Sequence, residues 1–108
     1  MKIFEINIQE PYYSYVLSGK KNVEGRLNKG KFKEIQTGDF LLINNEHKFE
    51  VIEKNIYKSF REMIEKEKIE NVIPDKDNIE DAVNVYYKFY TKNQEEEFGV
   101  VAIKIKKV

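Results

Sequence analysis

Hydrophobic positions along this chain switch repeatedly between a period of two and a helical period, and the switches mark out its elements. From Lys2 to Ile8, Phe4, Ile6 and Ile8 fall on one face and Ile3, Glu5 and Asn7 on the other, which predicts a half-buried strand. Pro11 suits the first turn of a helix, and Tyr13, Val16 and Leu17 follow at helical spacing. Gly19 stands where a helix closes in a left-handed residue, so a short helix is expected from Pro11 to Ser18. Alternation returns between Lys21 and Leu27, with Asn22, Glu24 and Arg26 opposite Val23, Gly25 and Leu27, a strand with one polar face.

Asn28 to Lys33 reads as a lysine-rich loop, and the Thr37-Gly38-Asp39 turn launches an apolar strand from Phe40 to Asn44. Asn44-Asn45-Glu46 turns the chain back into a strand from Lys48 to Tyr57. Phe49, Val51 and Glu53 share one face there, and placing Ile52 and Ile56 as well requires a bulge or a two-sided environment. Ser59 with Glu62 three residues on is a capping-box pattern, which starts a helix running to Lys68 before Ile73-Pro74-Asp75 breaks it. Asp77 or Asn78 can cap a further helix, along which Ile79, Val83, Tyr86, Tyr87 and Tyr90 form an apolar stripe. Lys92 to Glu97 reads as a polar linker. Phe98 to Val108 is a last strand, apolar on both faces from Val100 to Ile105 and therefore central. The sum is an α+β fold of five or six mainly antiparallel strands, curled towards a small open β-barrel. About three helices accompany it, the later two inserted before the final strand.

Composition narrows the chemistry. The 108 residues suit one domain spanning 1–108, and 41% hydrophobic with 13% aromatic content supports a packed core. No cysteine is present, which excludes disulfides, thiolate catalysis and thiolate metal centres. His47 is the only histidine and lies in a turn, so no metal site is expected. The N-terminus alternates in polarity where a signal peptide needs an apolar stretch of about 7–15 residues. The longest apolar runs fall far short of the roughly 20 residues that span a bilayer. A cytoplasmic chain without membrane contact is the expectation.

Charge is balanced in total, 19 basic against 19 acidic residues, but not in layout. Lys20, Lys21, Arg26, Lys29, Lys31 and Lys33 cluster with only Glu24 among them, whereas Glu62 to Asp81 holds eight acids against Lys66, Lys68 and Lys76. A local basic patch binds phosphates even on a neutral protein.

The run Tyr15-Val16-Leu17-Ser18-Gly19-Lys20-Lys21-Asn22-Val23-Glu24-Gly25-Arg26-Leu27, followed by the Thr37-Gly38-Asp39 turn, resembles an ASCH domain of the PUA-like superfamily. The shared pattern is a short helix ending in Gly-x-Lys, a strand reading x-x-Glu-x-Arg, a Gly-Asp turn, and a helical insertion before a Gly-Val strand, here Gly99-Val100. The resemblance implies a PUA-like barrel with a cleft for RNA or a nucleoside between the first helix, the following strand and the insertion. The residues suit that role independently. Lys21 and Arg26 can neutralise phosphate or donate to a base edge, and Glu24 can accept from an exocyclic amine. Tyr12, Tyr15, Tyr86 and Tyr87 offer stacking faces, with Tyr87 or Tyr90 the better placed on the stripe to reach a cleft. Lys20, Lys29 and Lys31 would extend the basic surface. The bland alternatives are a surface ion pair for Glu24 and Arg26, core packing for the tyrosines and a solvated loop for the lysines.

Some relatives in that family resemble amidohydrolases acting on acetylated cytidine through a Lys, a Thr three residues on, and a Glu of the insertion. Lys21 matches the first. Glu24 occupies the Thr position, so the hydroxyl is missing, and the insertion Glu would be Glu67 or Glu70. If the chain were catalytic, Lys21, Glu24 and Glu70 would carry the reaction, with Glu24 activating water as general base. A ribonuclease using Tyr15, Lys21 and Arg26 is a weaker enzyme reading, and a protein-interaction module built on the acidic helices is a further one. The expectation taken forward is a binding domain for RNA or a modified nucleoside, without a cofactor.

Overall fold

Five strands in the order β1-β3-β4-β5-β2 form one sheet in the computed structural model, which describes residues 1–108. In chain order the elements are β1 (Ile3–Ile6), α1 (Tyr12–Ser18), β2 (Val23–Leu27), α2 (Lys31–Glu34), β3 (Phe40–Ile43) and β4 (His47–Tyr57). Then come α3 (Phe60–Glu67), α4 (Ile69–Val72), α5 (Ile79–Tyr87), α6 (Lys92–Phe98) and β5 (Val100–Lys107). β1 runs parallel to β3, and every other pairing is antiparallel.

The two-sided apolarity of the last strand is realised directly. β5 sits between β4 and β2, and its alternate residues enter different cores. Val100 and Ala102 pack with Phe60, Met63, Val83 and Tyr86 under the helical insertion, while Val101, Ile103 and Ile105 pack with Ile6, Leu41, Phe49 and α1's Val16 inside the curl of the sheet. Covering a strand on both faces removes both rows of side chains from water, which is why no polar alternation was needed there.

The open edges are β1 and β2, and side chains span the seam that backbone pairing leaves between them. Arg26 Nη2 donates to Asn7 O at 2.5 Å and Lys31 Nζ to Glu5 O at 2.5 Å. Each meets an edge carbonyl that a sixth strand would otherwise have to satisfy. The sheet is therefore a five-stranded half-barrel within an α+β fold.

Local signals hold in detail. Gly19 closes α1 at φ 84°, and Asn78 rather than Asp77 caps α5, its Oδ1 accepting from Asp81 N at 2.9 Å. The expected bulge in β4 falls between Val51 and Glu53, leaving Ile52 outside the ladder and 40% exposed. Ser59 Oγ accepts from Glu62 N, but the Glu62 carboxylate accepts from Lys58 N instead of closing the box on Ser59.

Helix number is corrected from about three to six. The three anticipated helices are α1, α3 and α5, and the additional ones are short. The lysine loop contains α2, pinned by the fully buried Ile35 and by Lys54 Nζ donating to Lys33 O and Ile35 O. The stretch expected as a polar linker is α6. Its apolar stripe is missing because other forces hold it: a Thr91–Gln94 capping box, and a buried Glu95 that accepts from Phe60 N and Tyr87 Oη, both at 2.7 Å. No helix is long and apolar enough to cross a membrane.

Candidate functional site

β2 carries the polar face that the sequence pattern assigns to it, and the curl of the sheet turns that face towards the open seam. Three charged residues of this stretch meet there. Lys21 is 2% exposed, and its Nζ donates to Val23 O at 2.5 Å and Val72 O at 2.7 Å, with Glu24 Oε1 at 3.1 Å. The other carboxylate oxygen of Glu24 accepts from Arg26 Nε at 2.7 Å. Arg26 also lies with its guanidinium carbon 4.8 Å from the centre of the Phe32 ring, a cation–π approach that fixes its plane.

Three acceptors around one nitrogen match an ammonium, which has three donors and no lone pair to offer. Burial pushes the Lys21 pKa below the ordinary lysine value, and Glu24 opposes that shift. Burial alone would raise Glu24, yet Lys21 and Arg26 together outweigh it and hold the carboxyl below its ordinary value. Burial likewise works against the Arg26 charge, and Glu24 outweighs it, so the guanidinium stays protonated. The result is a cation–anion–cation chain with one net positive charge.

Beside this chain lies a cavity of about 160 Å³. Its charged lining residues are Lys21, Glu24 and Arg26; the aromatic wall is Tyr12, Tyr86, Phe89 and Tyr90, with Asn7 and Gln9 at the end of β1. Gly25 is what lets the wall come so near. A Cβ there would lie 2.6 Å from Met63 Sδ and 3.1 Å from Tyr86 Oη, so α3 and α5 approach β2 only over a residue without a side chain. Tyr86 stacks on Phe60 at 4.4 Å, and Tyr90 stacks on the same ring at 5.5 Å, which fixes both phenols. Burial, then the Glu24 charge, pushes Tyr86 well above its ordinary pKa, so its hydroxyl is a neutral donor. Tyr12 is pushed up to about 12 by burial and by Asp75. Phe89, 53% exposed, stands at the mouth.

The remaining residues singled out in the sequence lie elsewhere. Tyr15 is half-buried against Tyr12 with ring centres 6.3 Å apart and does not line the cavity. Lys20 is exposed in the turn after α1, Lys29 lies over the Phe98 ring, and Lys31 serves the seam. Tyr87 faces away and donates to Glu95. Glu70 is exposed on α4, and Glu67 accepts from Tyr57 Oη and Asn55 Nδ2 on β4, so neither insertion glutamate borders the cavity. Asn7, Gln9 and Phe89 were not singled out, since only the parallel placement of β1 and the end of α5 bring them to the site. Gly25, between Glu24 and Arg26, was the available signal that something packs closely there.

A family model described as the ASCH domain matches residues 6–108. The crystal structure of the hypothetical protein PH0355 is 42% identical to this chain, with 100% of each chain covered and a TM-score of 0.94. The solution NMR structure of protein PF0455 from Pyrococcus furiosus is 38% identical, covers 100% of this chain and 98% of its own, and has a TM-score of 0.84. No curated protein matches the chain.

Proposed function

Because this chain belongs to the ASCH domain family, with the PUA-like half-barrel that goes with it, we propose that its cavity receives one base of an RNA or of a modified nucleoside. The observation that carries the proposal is the meeting of a buried Lys21–Glu24–Arg26 charge chain with an aromatic wall in one opening. A volume of about 160 Å³ is small beside the roughly 300–1,000 Å³ of sites that enclose a drug-sized ligand. One ring fits the opening, and the sugar and phosphate remain outside.

Each group then has a task. Glu24 uses one lone pair per oxygen within the protein and retains capacity to accept from an exocyclic amine or ring N–H. Arg26 commits Nε and Nη2 and keeps Nη1 to donate to a ring nitrogen or carbonyl. Tyr86 and Tyr90 supply flat faces, and base–aromatic stacking contributes about 1–3 kcal/mol per base. Lys21 is a positioning residue: it holds Glu24 ionised and ties β2 to α4. The net positive charge favours an anionic ligand such as a nucleotide within a strand.

An amidohydrolase has less in its favour. All three Lys21 donors are engaged, no hydroxyl takes the place that Glu24 fills, Glu67 is held by Tyr57 and Asn55, and Glu70 is exposed on α4 away from the cavity.

Calorimetric titration with a panel of nucleosides and short RNAs, combined with product detection by mass spectrometry, tests the proposal. Saturable binding without product is expected, with Glu24→Gln weakening it by about tenfold or more. Equal affinity of wild type and Glu24→Gln would refute the base-reading role. Deacetylation of acetylated cytidine that disappears in Lys21→Ala would replace the proposal with the amidohydrolase.

A further inference from the structure

A second cleft of about 400 Å³ opens on the other side of Lys21, which lines both. Leu17, Phe49, Ile52 and Ile105 give it an apolar floor, Ile52 being the residue that the β4 bulge extrudes. Lys106 and Lys107 lie on its edge, neither forms an ion pair, and no acidic residue lines it. At its wall the Asn22 Oδ1 is buried without a donor. The negative end of α1 does not oppose an anion here, because Tyr15 O already accepts from Lys21 N and Ser18 Oγ, and Val16 O accepts from Gly19 N.

We propose that this cleft docks the neighbouring nucleotide of the RNA strand whose base enters the cavity, with phosphate on Lys106 and Lys107 and the base on the accessible Leu17 and Ile52. The inference rests on the function proposed above. Its ligand class follows from the lining: an apolar floor without acids, flanked by unpaired ammonium groups, suits a flat ring attached to a phosphodiester. An acidic peptide shares the charge, but Lys21 lines both the cleft and the nucleoside cavity, and that adjacency favours one strand occupying the two.

The test measures a short single-stranded RNA and a mononucleoside by fluorescence anisotropy and calorimetry. Wild type is compared with Lys106→Glu/Lys107→Glu and with Lys58→Glu/Lys66→Glu, which makes the same charge change at the far end of β4 and on α3. The first double variant is expected to lose about tenfold or more in RNA affinity, and its salt slope should fall by roughly 0.7, the share of one single-strand phosphate. Mononucleoside binding and the control variant should be unchanged. Equal RNA affinity and slope in all three proteins would overturn the second site, as would an equal loss in the control. A short polyglutamate peptide that binds as tightly as RNA and is released by Lys106→Glu/Lys107→Glu would assign the cleft to protein instead. Failure of the cavity reading looks different, since no mononucleoside would then bind any variant.

Discussion

Replacing Lys21 by Met separates a buried tether from a reactive amine. The substitution keeps an unbranched chain one atom shorter and removes three donated hydrogen bonds, to Val23 O, Val72 O and Glu24 Oε1. Glu24 keeps Arg26, but the carbonyl of the fully buried Val72 at the end of α4 loses its donor, at about 1–3 kcal/mol. Adding the lost partner of a buried carboxylate brings the total to about 3–5 kcal/mol, the usual cost of removing one member of a buried pair. For a chain of this size that lowers Tm by roughly 10–25 °C. Glu24→Gln removes the other member, and the double variant should be more stable than the two single losses imply, by about 1–3 kcal/mol of coupling. Thermal melts followed by circular dichroism at neutral pH give all four corners of the cycle. A Lys21→Met protein melting within about 2 °C of wild type would refute the tether, because a side chain free to react contributes little to stability.

Two further outcomes follow from the same neighbourhood. Gly25→Ala puts a methyl group 2.6 Å from the buried Met63 sulfur, so overpacking should cost about 1–3 kcal/mol and displace Tyr86 into the cavity; thermal melts and nucleoside titrations should both show a loss, and an unchanged Tm would mean that α3 yields freely. Glu24 and Asp39 both have pKa values below their ordinary range, Glu24 through Lys21 and Arg26 acting against burial, Asp39 through hydrogen bonds from Gln36 and Lys2 amides. The unfolded chain then binds more protons than the folded one between the two pKa values, so stability is full above about pH 4–4.5 and falls as pH drops through the folded values. Urea melts at pH 7, 4.5 and 3 should show the loss mainly below 4.5, and Glu24→Gln/Asp39→Asn should flatten it.

What the sequence discloses of this site is what lies within one strand. Lys21, Glu24 and Arg26 meet because an alternating stretch aims every second side chain the same way, and the interval from Lys21 to Glu24 is bridged by the length of a lysine. Tyr86 and Tyr87 could not be ranked in that manner. Neighbours on a helix point about 100° apart, and the direction that faces β2 is set by how α5 packs on Phe60, a contact across 26 residues. Glu67 and Glu70 depend on the same docking, and β4 captures the first through Tyr57 and Asn55. α6 escaped notice for another reason, since a helix held by a capping box and a buried carboxylate carries no apolar period.

The position of the cavity follows from the incompleteness of the barrel. A sixth strand between β1 and β2 would satisfy Glu5 O and Asn7 O by ordinary ladder bonds and would fill the place where the cavity opens. Lys31 and Arg26 satisfy those carbonyls with side chains instead, which leaves the mouth clear. Arg26 can do so without leaving the site, because Nη2 serves the seam, Nε serves Glu24 and Nη1 is committed to neither. Burying that much charge is unfavourable for the fold alone, where apolar residues of equal volume would often be as stable or more so. Its place at the one gap in the sheet, against aromatic rings and a glycine that admits them, is what the proposed binding of a base would account for.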